Sequence, residues 1–486
     1  MLANKKEKEE EFVGWRSIFW PIYSMELKKF LPMAIMMMCM LFNYSVLRGL
    51  KDSLVFINMG EDAIPTLKLW FVLPAAVLFM LAYSKLSNIF SKNSVFYMVV
   101  TFFLGYFLLF TFVLYPLRQF LSIDFSGVIS SAFWRKLLIP IGNWVFSSFY
   151  VMSELWGSAM VSLMFWRFAN DVTSLKQSKR FYSMFGFVAN SALMISGTVL
   201  KTIKDIDLIL IIAIVLCLVI MGIYYWLNNY ILTDPRFFNP DDLKKQKTKM
   251  KLNLGESLKY IVRSKYLGLI VLLVVCYGTS INLVEVMWKG QAKLLYRTEA
   301  EFSGFMGGLQ IWTGAAAIIC MLVGANVLRR CSWFTAAIIT PLMIFATGLI
   351  FFGCIIYKDA LTPLIDSVGG LTVLGVITSV GLLQNMLGKG TKYSLFDSTK
   401  EMSYIPLDDE LKSKGKAAVE VIGGRAGKSG GAAIQFLLLN VLFIGSSLVE
   451  LASVIALVFV VILILWFYAV SGLNKQFLKI TANSDK

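Results

Sequence analysis

Two groups of residues in this chain have the type and spacing to do chemistry. The first is the stretch EVIGGRAGKSGG at 420–431. Its Gly427, Lys428 and Ser429 form the triplet that closes a phosphate-cradling loop, where successive backbone N–H groups wrap the phosphates of a nucleotide. Such a loop needs four residues between its glycines, whereas Gly423 and Gly427 enclose only Gly424, Arg425 and Ala426. It also needs a preceding strand, and the segment that follows, GAAIQFLLLNVLFIGSSL, is long and apolar enough to be a membrane helix. Hydrolysis is therefore disfavoured, but anion binding is not. Arg425 and Lys428 stand at the mouth of the predicted helix, whose first N–H groups attract anions. Arginine holds phosphate through paired donors and lysine through a point charge.

The second group consists of ionisable residues inside apolar runs, where a charge costs about 2.5–3.5 kcal/mol on insertion scales and is usually kept for a pathway or a partner. Glu154, in FYVMSELWGSAM, lies deep between apolar neighbours and has no surface explanation. NYSVLRGLKDSLV places Asn43, Arg48, Lys51 and Asp52 at the far end of the first apolar run. Arg48 and Lys51 share a helical face, although side chains at a helix end also snorkel toward water. GTSINLVEVMWKG carries Asn282, Glu285 and Lys289; a plain pair between Glu285 and Lys289 competes with the lining of a cavity. A dense late stretch from Lys389 to Lys428 adds Lys392 and Lys400. Buried cations near abundant rings suit an anion that carries a flat base.

The elements that must position these residues are long apolar helices. Of the 486 residues 57% are hydrophobic, and the mean hydropathy is +0.70, well above the roughly 45–50% apolar content of soluble chains. Apolar runs near 31–50, 69–88, 95–115, 138–164, 182–200, 208–227, 267–288, 305–327, 333–356, 369–388, 430–448 and 450–471 predict about twelve transmembrane helices, an all-α polytopic membrane protein. The fourth run is long and should tilt or kink.

The connection at 228–266 separates two sets of six spans, 31–227 and 267–472, flanked by a segment 1–30 and a tail 473–486. That is a major-facilitator-like plan with a site between two bundles. Lysine and arginine concentrate in alternate connections and place both termini in the cytoplasm. The same bias accounts for the net charge of +16 without a nucleic-acid partner. Histidine is absent and the six cysteines are scattered, so no metal or disulfide framework is expected. The opening MLANKKEKEEEFVGW is charged and reads as no cleavable signal.

The stretches NYSVLRGLKDSLV, SELWGS, FWRFAND, KRFYSMFG, LTDPR, NLVEVMWK, KYSLFDSTKEMSYIPLD and GKAAVEVIGGRAGKSGGAAIQ, spread over essentially the whole chain, resemble the ATP/ADP translocases of obligate intracellular bacteria and plant plastids. The resemblance implies a secondary transporter without cofactor. It would bring ATP across a bacterial inner membrane in exchange for ADP, with phosphate accompanying ADP in some members. It also implies important charged residues at Lys51, Glu154 and Glu285 and at a late lysine, taken as Lys428 with Lys392 and Lys400 as rivals. A monomer is the default for such an architecture. Relatives that carry other ribonucleotides or couple uptake to protons stay open. So do two readings from other classes, a membrane ATPase built on the glycine stretch and a lipid-handling protein with basic loops.

Overall fold

The computed structural model describes residues 22–125, 131–237, 264–407, 419 and 423–484, with only the backbone given for a few of them, among these Arg425 and Lys428. All regular structure among the described residues is helical. Among the described residues nine helices are long and apolar enough to cross a membrane: Leu27–Asn58, Ala63–Ile89, Lys92–Leu114, Arg180–Thr202, Ile206–Ile231, Lys265–Leu295, Glu299–Arg330, Trp333–Ile356 and Ala452–Ile480. Three more helical stretches, over 144–172, 373–403 and 424–442, occupy the expected fourth, tenth and eleventh places. They are less apolar because they carry Glu154 and Arg167, or Gln384, Asn385, Lys389 and Lys392, or the glycine run. Twelve long helices result, numbered here by order along the chain. The fourth is preceded by a short helix, Ala132–Gly142, that contains Pro140 and breaks at Asn143. This is the expected kink, since proline removes a ladder donor.

Several limits differ from those read off the sequence. The first helix runs on to Asn58, so Arg48, Lys51 and Asp52 lie inside it, not at its end. The twelfth continues to Ser484, which makes the expected tail from 473 helical. The connection expected at 228–266 lies mostly outside the described residues.

Helices one to six and seven to twelve form two bundles. In the first bundle the core is aromatic: Trp156 packs edge-on to Phe103 and donates from Nε1 to the Met40 carbonyl at 3.1 Å. In the second, Tyr277, Phe396 and Trp466 form a cluster. Large apolar side chains such as Phe112, Leu218, Ile319, Leu322 and Leu457 point outward, as a lipid-facing surface requires.

The bundles meet most extensively where the fifth and eighth helices cross. A Cβ on Gly197 would fall 2.5 Å from the Gly307 carbonyl, and one on Gly307 would fall 2.4 Å from the Gly197 carbonyl. Only residues without side chains permit that approach. Buried Gln310 secures it, with Ser196 donating to its Oε1 at 3.1 Å and its Nε2 donating to the Ser45 carbonyl at 2.8 Å.

The start of the first helix and the end of the twelfth lie at one end of the molecule, called proximal here. At that end buried Lys29 donates to the carbonyls of Val172 and Phe237 and to Gln177 Oε1. Its ammonium thus closes the end of the fourth helix onto the start of the first. Tyr266 and Trp333 make comparable bonds to the Ser403 and Thr399 carbonyls in the second bundle.

Candidate functional site

The first and seventh helices carry most of the buried charge, and they face each other across the bundle interface. Lys51 Nζ lies 2.8 Å from Asp52 Oδ1 and 3.0 Å from Glu154 Oε1, with the Tyr150 ring centroid 3.9 Å away. The second oxygen of Asp52 accepts from Lys289 Nζ at 2.6 Å, and Lys289 also reaches Glu285 Oε1 at 2.9 Å. That same glutamate oxygen takes Arg48 Nη2 at 3.1 Å and lies 3.9 Å from Lys389 Nζ. Beside it Lys68 donates to Asn282 Oδ1. The result is one continuous chain of ions from Glu154 to Lys389, fed by four helices besides the second, which supplies Lys68.

Two bonds in this chain, Asp52–Lys289 and Arg48–Glu285, join the bundles directly. Lys51, Asp52 and Lys289 are almost wholly buried, whereas the side chains of Arg48 and Glu154 keep 32% and 31% of their surface open. The cluster holds two more cations than carboxylates. Buried ions are tolerated only when paired and hydrogen-bonded, and here single carboxylates are shared among several cations. An incoming polyanion therefore meets excess positive charge and can replace a carboxylate as a partner without stranding a cation.

Helical turns of π type adjoin the cluster: Leu67–Val72 contains Lys68, Gly157–Phe165 follows Glu154, and Lys392–Phe396 follows Lys389. Such turns rotate the side chains beyond them and recur at functional sites.

The glycine stretch has a different part. Residues 424–437 are helical, not a loop that could wrap phosphates. Gly423, Gly427 and Gly431 recur every four residues and face Val274, Gly278 and Asn282 of the seventh helix. A Cβ on Gly278 would lie 2.8 Å from the Gly427 Cα, and one on Gly431 would lie 2.6 Å from the Asn282 Cβ. The glycines are a packing seam that lets two helices nearly touch, as small residues do in membranes. They bring the backbone of Arg425 and Lys428 beside the helix that bears Asn282 and Glu285. The side chains of Arg425 and Lys428 lie outside the described part of the structure.

Of the residues singled out from sequence, the structure brings together Arg48, Lys51, Asp52, Glu154, Asn282, Glu285 and Lys289. Lys392 is directed elsewhere: its Nζ lies 2.8 Å from Asp397 Oδ2 and 4.7 Å from the Tyr393 ring centroid. Lys400 is half-buried one turn before the proximal end of the tenth helix. Asn43 instead donates to the Ala213 carbonyl within the first bundle. Sequence reasoning missed Lys68 and the bridging part of Asp52, and it noted Lys389 only as the edge of a basic stretch. Lys68 directly precedes the apolar run at 69–88, and that position at its edge was the only signal available for it.

Comparisons with known proteins bear on the family and the fold. The family model described as TLC ATP/ADP transporter matches residues 5–477. The chain is 45% identical to ADP,ATP carrier protein 1 of Rickettsia prowazekii, covering 99% of both chains. It is 44% identical to ADP,ATP carrier protein 1 of Chlamydia muridarum, over 98% of this chain and 94% of the relative. Among solved structures, a bacterial homologue of the iron transporter ferroportin in an inward-facing state covers 91% of this chain and 99% of its own, with TM-score 0.57 and 12% identity. A D-xylose–proton symporter covers 92% and 97%, with TM-score 0.56 and 12% identity. These two share the fold: two bundles of transmembrane helices of the major-facilitator type. With the match running almost end to end, the chain belongs to the TLC ATP/ADP transporter family and is a multi-pass membrane transporter, not an enzyme.

Proposed function

We propose that this protein exchanges ATP for ADP across a bacterial inner membrane, by rocking its two bundles around the charged cluster between the first and seventh helices. The observation that carries the reading is the inter-bundle ion chain, in which Asp52–Lys289 and Arg48–Glu285 cross from one bundle to the other. The curated relatives are named for ADP and ATP, and an excess of cations is what a polyphosphate needs. Lys51, Lys68, Lys289, Lys389 and Arg48 attract the phosphates. Glu154, Asp52 and Glu285 hold those cations when no nucleotide is present. Arg425 and Lys428, carried by the helix of the glycine seam, join the cations as candidate phosphate contacts. Lys392, paired with Asp397, and Lys400, near the proximal end of the tenth helix, stand apart from the phosphate contact.

Obligatory exchange follows from the same charges. Separating the bundles breaks the two bridging pairs, and uncompensated buried ions make that step costly. A bound nucleotide supplies replacement partners, so the loaded protein reorients and the empty one does not. The proximal end faces the cytoplasm, following the lysine and arginine bias of its connections, and the protein works as a monomer.

The test is counter-exchange of labelled ATP from proteoliposomes against a panel of ATP, ADP, GTP, CTP, UTP and orthophosphate. Trans-stimulation by ADP and ATP above the rest is expected, and orthophosphate in the presence of ADP shows whether the two travel together. Full-speed uptake into vesicles without internal nucleotide would refute the coupling. Selective stimulation by another ribonucleotide would reassign the substrate.

A further inference from the structure

Beyond the charged cluster, toward the distal end, a second set of contacts joins the bundles. Its centre is Glu299, the first residue of the eighth helix. One carboxylate oxygen accepts from Asn58 Nδ2 at 2.6 Å and the other from the Tyr115 hydroxyl at 2.7 Å. Both donors belong to the first bundle. The backbone joins in, as Ser53 Oγ donates to the Glu299 carbonyl, and the Phe56 and Phe302 rings stack across the same interface at 5.7 Å. Asp62 accepts from the Leu448 N–H at 3.1 Å.

The helix does not need Glu299 for its own start. Thr298 and Glu301 already form a complete capping box there, which satisfies the local donors. The Glu299 side chain is thus spare with respect to its own helix and is turned onto the opposite bundle. Asn58 lies six residues beyond Asp52 on the first helix, which places this contact about 9 Å past the charged cluster at 1.5 Å per residue. The contact thus lies between the cluster and the distal ends of both bundles.

We propose that Glu299, with Tyr115 and Asn58, is the distal latch of the transport cycle, a positioning group that holds the outer mouth shut while the cluster is open to the other side. The chemistry suits a contact that must open and close. Among the described residues the carboxylate is held by two neutral donors and by no cation, so parting it strands no buried cation; water replaces both donors at a partly exposed position. The Asp52–Lys289 pair of the cluster, almost wholly buried, lacks that freedom. This proposal assumes alternating access but not the identity of the transported molecule.

The test uses the full-length protein in nanodiscs, without nucleotide, with its cysteines replaced and spin labels at Gln119 and Leu294. These two positions are exposed at the distal ends of the two bundles. Pulsed electron resonance should show a single short distance in the parent. Glu299→Ala should shift most of the population to a longer distance, Tyr115→Phe should shift a smaller part, and Glu299→Asp should largely restore the parent distribution. The apparent affinity for ATP offered from the distal side should improve several-fold in Glu299→Ala as the open state becomes populated. An unchanged distance distribution in a folded Glu299→Ala protein overturns the latch. Should that variant not fold, the combination of Tyr115→Phe with Asn58→Leu decides by the same measurement. A shifted distribution in a protein that exchanges no nucleotide would sink the substrate reading and leave the latch standing.

Discussion

Asp52→Asn is the sharpest test of the site. Asp52 is 1% exposed and splits its two oxygens between Lys51 at 2.8 Å and Lys289 at 2.6 Å. Asparagine keeps the shape but removes the charge, and it must turn an amide N–H toward one of the two ammonium groups. Removing one member of a buried pair costs about 3–5 kcal/mol. Here Lys51 retains Glu154 and Lys289 retains Glu285, so the cost should fall near about 3 kcal/mol, the low end of that range. At 1.36 kcal/mol per decade this is roughly a 10²-fold change in whichever equilibrium or rate depends on the assembled cluster. Two assays read it: thermal melting of the detergent-solubilised protein, and ATP/ADP exchange in proteoliposomes. Asp52→Asn should melt earlier and exchange about 100-fold more slowly. Combining it with Lys289→Met removes both charges of the inter-bundle bond, and the double variant should recover much of the lost stability while remaining poor in exchange. Wild-type melting and exchange in Asp52→Asn would refute the reasoning. So would a double variant whose losses simply add, because the two residues would then not be partners.

Other expectations follow from the same geometry. Glu154→Gln keeps a hydrogen-bond acceptor for Lys51 at a partly open position, so exchange should fall at least tenfold while the melting temperature stays within about 1 kcal/mol equivalent of the parent; normal exchange would remove Glu154 from the site. Gly427→Leu drives a side chain into the Gly278 backbone and should cost about 1–3 kcal/mol of stability by overpacking, seen as lower yield and earlier melting, whereas Ser429→Ala should do little. Lys389→Gln should weaken ATP exchange more than Lys392→Gln, because Lys389 faces Glu285 while Lys392 is paired with Asp397; the reverse order in a side-by-side exchange assay would overturn that assignment. Purified protein with ATP should release no orthophosphate, since the glycine stretch forms a helix seam; steady release that is lost in Lys428→Ala would revive the ATPase reading.

How much of this was legible in the sequence depends on the scale of the feature. Length and apolarity gave the helices, because a bilayer leaves no other way to satisfy backbone groups. Polar residues in lipid are costly, which made Glu154, Glu285 and Lys51 visible one at a time. Their pairing was not visible. Lys51 with Glu154 and Asp52 with Lys289 meet across helices far apart in the chain, and local spacing suggested only the Glu285–Lys289 pair, which is real but is one link of several. Lys68 stands at the edge of an apolar run, where nothing local marks it; only the packing of the second helix against the seventh brings it to Asn282. The glycines of 423–431 carry the same ambiguity. In a loop they free the backbone for phosphate, and in a helix they remove side chains at a crossing; only a partner with Gly278 at the matching height decides between the two.

The ammonium of Lys29 has a consequence for biogenesis. Its acceptors include the carbonyl of Phe237, 208 residues further along the chain. At roughly 5–20 residues per second, a ribosome delivers that acceptor about 10–40 s after Lys29 itself. Through that interval the first helix sits in the bilayer with its basic foot still hydrated at the interface. The Val172 carbonyl and Gln177 arrive earlier, and the set of acceptors is complete only once the sixth helix has been made. The first bundle is therefore sealed by its last-made piece, and a chain truncated before residue 237 should stay loosely assembled and open to proteases at the foot of its first helix.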